Sequence, residues 1–583
     1  MREGPPAESD QEKGHTQMPE FDLVITNGMV VDGTRAPRFR GDIAVKDGRI
    51  ARIGRINPHQ GVKAIDAGGL IVAPGFIDLH THYDAQVFWD PYLTISGWHG
   101  ITSVVIGNCG FGFAPVKPHD RDRAMLTMVR TEAIPLRSMQ TALTWDWETF
   151  PQFMDTLDRL PKGLNILPCV PMNPVLNYVM GIDAAKSGRM PTEAEHAQMR
   201  RIMNEAMDAG ACGWSAQRLK PEGFASVQRD YDGTPMNTDV MHDETCLEMA
   251  RVLGARGEGF QELTLVSGDV KADAKYYETI AEVSGRPIMF ETVSSVDRYP
   301  RRHLGQLKWL EKCRKRGLPV YGQGITTDAG QSFTFEDWNL FDDSDTWREA
   351  TVGTVAERKA KLGDPRRRQA LKNQMPMEGL ITCFEEIIIT ECARPENKHL
   401  EGLTMAEAAA RTGKHQVDVM LDLAVSEDLK TEFFAPATNR NLDLMKDVID
   451  YPYVVFGVSD GGAHTKFLTA GRFPTEAIIK FVREKQWLSL EEIHWRLSAL
   501  PAFCAGFKDR GTLREGAPAD IVIYDLDKLA VRPIEILHDL PGNEWRRVQR
   551  SEGYKWTIVN GEVIFEDGAC TGATPGKLLR HGV

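Results

Sequence analysis

The stretch GFIDLHTHYDAQ, residues 75–86, decides how this chain is read. Phe76 to Leu79 make a short apolar run of the kind that becomes a buried strand, and His80 and His82 follow at its end. Side chains two apart on extended backbone point to the same face. Both imidazoles can therefore reach one metal ion, and zinc accepts imidazole nitrogen while keeping a position for water at a catalytic site. An isolated H-x-H also occurs by chance in surface strands, so its weight depends on what surrounds it.

Upstream, FDLVITNGMVVDG (21–33), GDIAVKDGRIARIG (41–54) and AIDAGGLIVAPG (64–75) alternate apolar and polar residues, with Asp47-Gly48 as a hairpin signal. No helix-length segment separates them, so they are ribbons of a small sheet. At the far end ADIVIYDLD (519–527), YKWTIVNGEVIFEDG (554–568, with Asn560-Gly561) and TGATPGKLLR (571–580) read the same way. We expect one small β-sandwich domain built from residues 20–72 and 506–583, preceded by a disordered polar tail over residues 1–19.

Between them, residues 73–505 alternate short apolar runs with amphipathic helical stretches such as PTEAEHAQMRRIMNEAMDAG (191–210). GFIDLHTH, ITSVVIGN, LNILPCV, ACGWSA, GFQELTLV, RPIMFET, LPVYGQG and VVFGVSD are eight candidate strands. Eight β-then-α units predict an α/β fold of the (β/α)8 TIM-barrel type, whose sites lie at the C-terminal ends of the strands. Residues 328–374 break the rhythm with a charged, aromatic stretch, read as a lid or substrate-side insertion over the mouth, the alternative being ordinary surface helices of the outer ring. Its Phe333, Phe335, Trp338, Phe341 and Trp347 either face a bulky substrate or form the insertion's own core.

The second chemical segment is YVVFGVSDGGAHT (453–465). Its apolar strand delivers Asp460 at the eighth strand end, where a carboxylate facing activated water serves as general base and then passes the proton to a leaving amine. Aspartate before glycine is also common in plain turns. His464 is either a proton donor beside the site or an ordinary loop histidine.

Bulk properties narrow the classes. The 583 residues are 42% hydrophobic and 26% charged, a globular profile. A net charge of -13 argues against nucleic-acid or anionic-membrane partners, and no apolar run approaches a bilayer span. Nine scattered cysteines without C-x-x-C pairs suit a reducing cytoplasm. Large barrels often assemble, so a homo-oligomer is among the expectations.

H-x-H after the first strand, S-D-G-G on the last and a divided β domain resemble the amidohydrolase superfamily. The nearest resemblance is to the N-acyl-D-amino-acid deacylases, and it runs along nearly the whole chain from residue 20. GNCGFGFAP (107–115) is similar to that family's second-strand motif, which implies Cys109 as a metal ligand. GACGWSAQRLKPEG (210–223), the helix before it, GTLREGAPADIVIYD and TGATPGKLLR match further segments in order. The resemblance implies a zinc enzyme that hydrolyses amide bonds of small molecules.

The chain also departs from that pattern. The family carries histidine ligands after strands five and six, and neither GFQELTLVSG (259–268) nor RPIMFETVSS (286–295) contains one. Glu291 stands at the sixth-strand place and Gln261 or Glu262 at the fifth. A glutamate buried at a strand end needs a cation or another partner. Glu291 is thus a replacement ligand or a catalytic carboxylate, or else a neighbour paired with Arg298 or Arg301. His80, His82, Cys109, Glu291 and Asp460 support one divalent ion, zinc, better than two. The family's substrate-binding lysine is also missing, and Arg218, Lys220 or Lys466, with His464, are the candidates to hold the substrate. We expect a metal-dependent hydrolase of non-peptide carbon–nitrogen bonds acting on N-acyl amino acids or related bulky amides. The alternatives are a cyclic amide or lactone hydrolase on the same barrel, and a binding protein that lost part of its metal site.

Overall fold

A computed structural model describes residues 19–219, 229–297, 299–328, 330–336, 340–341, 344–374, 384–437 and 439–581. The expected tail, apart from Pro19, lies outside these residues, as do Lys220, Arg298 and Trp338.

Each of the eight candidate segments contains a strand: β1 Phe76–Asp78, β2 Ile101–Ile106, β3 Asn165–Pro168, β4 Gly213–Leu219, β5 Phe260–Val266, β6 Ile288–Val293, β7 Val320–Ile325 and β8 Val454–Gly457. Two parallel sheets result. One runs β1-β2-β3, and the other runs Val170–Pro171, β4, β5, β6, β7, β8. Only Cys169 separates β3 from Val170–Pro171, so one segment serves both sheets. A parallel bridge joins Thr81, after β1, to Gly461, after β8. Every residue of β2 and β3 is buried, which is why these strands read as continuous apolar runs rather than alternating ones. Ile77, Val105, Leu167, Phe260, Met289 and Val455, from six different strands, meet in one buried cluster.

Both chain ends contribute to a third sheet. Among the described residues, strands within 21–74 and strands Ile521–Tyr524, Tyr554–Val559, Glu562–Glu566 and Ala569–Cys570 form a nine-stranded sheet. Asp47-Gly48 (φ 49 and 75) and Asn560-Gly561 (φ 45 and 85) take the paired left-handed conformations that tight hairpins require. The expected ribbon at 571–580 differs. It makes isolated bridges at Lys162–Pro575, just before β3, and at Ile166–Leu578, on the edge of β3. Pro575 has no N–H to give a ladder, which helps keep this edge from becoming a full strand.

The stretch expected as an insertion, 328–374, pairs with residues beyond it. Strand Gln331–Phe333 pairs with Glu432–Ala435, which also pairs with Ile388–Glu391. Phe333, Phe335, Phe341 and Trp347 are buried with Phe384 and Phe433 in a separate apolar cluster. Those four aromatic rings pack against each other within the insertion.

Candidate metal centre

The strand period builds the site. Phe260 and Met289 point into the apolar cluster at the base of β5 and β6. Two residues further on, Glu262 and Glu291 must share that face, at the C-terminal ends. Gln261 takes the opposite face and donates to Ser284 Oγ at 3.0 Å.

Beyond β1, Thr81 Oγ1 donates to the Val105 carbonyl at 2.6 Å and His82 N–H donates to the Gly461 carbonyl at 2.6 Å. These bonds hold the backbone between the two histidines, whose rings lie 5.4 Å apart with planes at 72°. Ser459 Oγ donates to the His80 carbonyl at 3.2 Å, and the His80 N–H donates to Asp78 Oδ1 at 3.1 Å. Burial pushes the Asp78 carboxyl up to about 7.

Two tight turns bring in the remaining donors. In GNCG (107–110) Cys109 itself has φ 54, and a Cβ on Gly107 would sit 2.4 Å from the Cys169 carbonyl oxygen. The close approach permitted by glycine carries Cys109 Sγ to 3.4 Å from His80 Nε2. The Cys109 N–H donates to Glu262 Oε2 at 2.8 Å. In SDGG (459–462) a Cβ on Gly461 would meet the Tyr83 ring at 2.7 Å, and one on Gly462 would meet the His82 carbonyl oxygen at 2.6 Å. That turn sets Asp460 Oδ1 3.2 Å from His80 Nε2 and 3.7 Å from His82 Nε2.

The donor spacing suits a small tetrahedral ion. Ligand atoms roughly 2.0–2.3 Å from a zinc ion at tetrahedral angles lie about 3.3–3.8 Å from one another. The contacts of 3.2, 3.4 and 3.7 Å among Nε2, Sγ and Oδ1 fall close to that range. His80, His82 and Cys109 form one group able to hold a metal, and His80, Cys109, Glu262 and Glu291 form another. Glu291 approaches from the other side of the ring: its Oε1 lies 2.6 Å from His80 Nδ1. Thr264 Oγ1 donates to Glu291 Oε2 at 3.3 Å.

Charge in this pocket favours a cation. Burial opposes protonation of His80, but Glu291 and Cys109 hold its imidazole well above the ordinary histidine value. Glu132 and Asp460 do the same for His82. Burial alone would raise the Asp460 carboxyl, and the His80 and His82 imidazoles hold it well below the usual range. Glu262 moves the opposite way, pushed up by burial and by the Glu291 charge. The Asp460 side chain is 26% exposed against 2% for His80 and 1% for His82, so it is the member facing the opening.

The sequence does not single out Glu132. It ends helix α1, Arg121–Glu132, and its Oε2 lies 3.6 Å from both His82 Nε2 and His464 Nε2. No local pattern marks it, because its approach depends on how α1 packs against the SDGG turn. A signal existed only for Glu262, from its place on the fifth strand.

The other substrate candidates lie apart. Arg218 is buried and donates to Asp243 Oδ1 at 2.8 Å and to the Met241 carbonyl. Lys466 pairs with Glu544 at 3.1 Å beside the Trp545 ring. His464 is joined to the donor set through Glu132.

Known proteins resemble this chain in sequence and in fold. Residues 63–565 match the model of the amidohydrolase family, and residues 1–75 match the urease alpha-subunit N-terminal domain. An N-acyl-D-glutamate deacylase of Alcaligenes xylosoxydans xylosoxydans is 27% identical, over 96% of this chain and 97% of the relative. An N-acyl-D-aspartate deacylase of the same organism is 26% identical, over 97% and 96%. The crystal structure of N-acyl-D-glutamate deacylase from Bordetella bronchiseptica, complexed with zinc and a phosphonate mimic of the tetrahedral intermediate, aligns with a TM-score of 0.65. That structure is 25% identical, and the alignment covers 96% of this chain and 100% of that one. Among the described residues no helix is long and apolar enough to cross a membrane.

Proposed function

The chain belongs to the amidohydrolase family and is a metal-dependent hydrolase of non-peptide carbon–nitrogen bonds, and from this premise we propose that it deacylates N-acyl amino acids. The convergence of His80 Nε2, His82 Nε2, Cys109 Sγ and Asp460 Oδ1 carries this reading. The N-acyl-D-amino-acid deacylases among its relatives favour substrates of D configuration.

We read the two parallel sheets as one (β/α)8 barrel over residues 73–505, supported by the shared segment through Cys169 and the Thr81–Gly461 bridge. Residues 20–72 and 506–583 then form the β-sandwich domain, and the insertion beginning near 328 forms a lid.

His80, His82 and Cys109 would hold a zinc ion, with Asp460 at its open side. When bound, such an ion polarises a carbonyl and brings the pKa of water down to roughly 7. Asp460 moves the proton. With Oδ1 turned to the donors, its second oxygen takes the proton of the attacking water and delivers it to the leaving nitrogen. Glu291 orients His80 by accepting from Nδ1, which leaves Nε2 free for the ion. Glu262 fixes the Cys109 backbone in the same sense. His464, tied to His82 through Glu132, is the candidate on the substrate side, because Arg218 and Lys466 are engaged elsewhere.

The test is Asp460→Asn, assayed by amine release from N-acyl-D- and N-acyl-L-amino acids. Turnover should fall by about 10²–10⁴-fold, the range for removing a general acid–base group. Zinc content and circular dichroism should stay at the level of the unmodified protein. An active Asp460→Asn enzyme would overturn the mechanism.

A further inference from the structure

A cavity lies on the outer side of β6, away from the metal centre. Successive residues of a strand face opposite ways. Glu291 faces His80, and Phe290 faces a cavity of about 670 Å³ between helices α2, Val270–Ser284, and α3, Arg302–Lys315. That volume lies in the range of small-molecule sites, roughly 300–1,000 Å³. Val266, Phe290 and Trp309 supply apolar walls, with the rings of Phe290 and Trp309 edge to face at 5.2 Å. Val270 stands at the rim 76% exposed, and Tyr299 is 36% exposed.

Two features point to the occupant. Arg301 and Arg302 line the cavity, and among the described residues neither guanidinium has an ion-pair or hydrogen-bond partner. The acid that also lines it, Asp273, is already engaged, accepting from Ser267 N–H at 3.1 Å and from Ser267 Oγ at 2.5 Å. Gly305 lies inside α3, where glycine is unfavourable, and a Cβ there would meet nothing within 4 Å. Its missing side chain leaves the cavity open.

We propose that this cavity binds an amphiphilic carboxylate, a medium-chain fatty acid in chemical class, with its chain against Phe290 and Trp309 and its head on Arg301 and Arg302. The site is separate from the metal centre and does not depend on the deacylase reading.

The test is isothermal titration of the zinc-loaded protein with decanoate, and with decanol as the uncharged analogue. Saturable binding of one decanoate per chain is expected, at least about tenfold tighter than decanol, since an anion paired with arginine is what separates the two. Gly305→Phe fills open space and should abolish the binding while amide hydrolysis and thermal midpoint stay unchanged. Arg302→Ala should bring decanoate down to the decanol level. If Gly305→Phe misfolds, Gly305→Leu gives the same reading. Decanoate bound equally by Gly305→Phe and the parent, or no binding at all, would overturn the proposal. So would a concentration-dependent dimer that Gly305→Phe dissolves, because the cavity would then seat a second copy of the chain.

Discussion

Replacing Glu291 by glutamine separates the ligand role expected from the sequence from the orienting role that the structure suggests. As a ligand, Glu291 would take the metal with it. As the orienting partner of His80, it would leave the metal in place and weaken its hold. Its Oε1 sits 2.6 Å from His80 Nδ1, with both side chains nearly sealed from solvent, at 1% and 2% exposed. A hydrogen bond to a charged group in such a setting contributes about 1.5–3 kcal/mol. Losing the carboxylate behind a metal-binding histidine typically weakens metal affinity by roughly 10–100-fold, or about 1.4–2.8 kcal/mol. The two ranges overlap, so Glu291→Gln should retain one zinc per chain with affinity lower by that factor. Competition against a chromophoric chelator measures the affinity, and elemental analysis measures the content. Cys109→Ser is the comparison. In the cobalt-substituted protein the thiolate-to-metal absorption should persist in Glu291→Gln and vanish in Cys109→Ser. Metal content collapsing in Glu291→Gln would make Glu291 a ligand, and unchanged affinity would remove it from the site altogether. Either result refutes the orienting role.

Two further perturbations test the fold that carries the site. His99 is buried with Nδ1 2.7 Å from Thr475 Oγ1 and Nε2 2.9 Å from the Gln549 carbonyl, and burial pulls its pKa down to about 4. The unfolded chain takes up that proton near its ordinary value of about 6.5, so the stability gained from a neutral His99 is complete above that pH and is lost as pH falls toward 4, at about 1.4 kcal/mol per pH unit. The difference in unfolding free energy between the parent and His99→Gln should therefore shrink on acidification through this window; a constant difference would contradict it. Gly213 opens β4 with φ 138, and a Cβ there would lie 1.7 Å from the Phe260 carbonyl oxygen. Gly213→Ala should cost more than the roughly 1–3 kcal/mol of backbone strain alone, whereas Gly257→Ala, with no neighbour within 4 Å, should stay within that strain cost. Equal thermal midpoints for the two variants would refute the packing argument.

Local rules sufficed for the eight barrel-type strands and the two hairpins, though not for the ribbon expected at 571–580. Alternation, apolar runs and the Asp47-Gly48 and Asn560-Gly561 turns identify strands and hairpins, because those signals depend on neighbours a few residues away. His80 and His82 were legible for the same reason: a two-residue period on one strand already puts both rings on one face. Asp460 was legible as the residue that an apolar strand delivers at its end, and Cys109 chiefly through the resemblance.

Tertiary structure decided the distances between segments far apart in sequence. That Glu291 meets Nδ1 of His80 follows from where β6 stands relative to β1, 211 residues away. That Glu132 reaches His82 follows from the packing of α1. Arg218 turns to Asp243 because the chain beyond β4 returns to its C-terminal end, 25 residues later. The aromatic residues of the insertion likewise show their common core only once Phe384 and Phe433 are brought to them. A sequence states which side chains a strand presents to one face. Only the closed chain determines which nitrogen, at what distance, each of them meets.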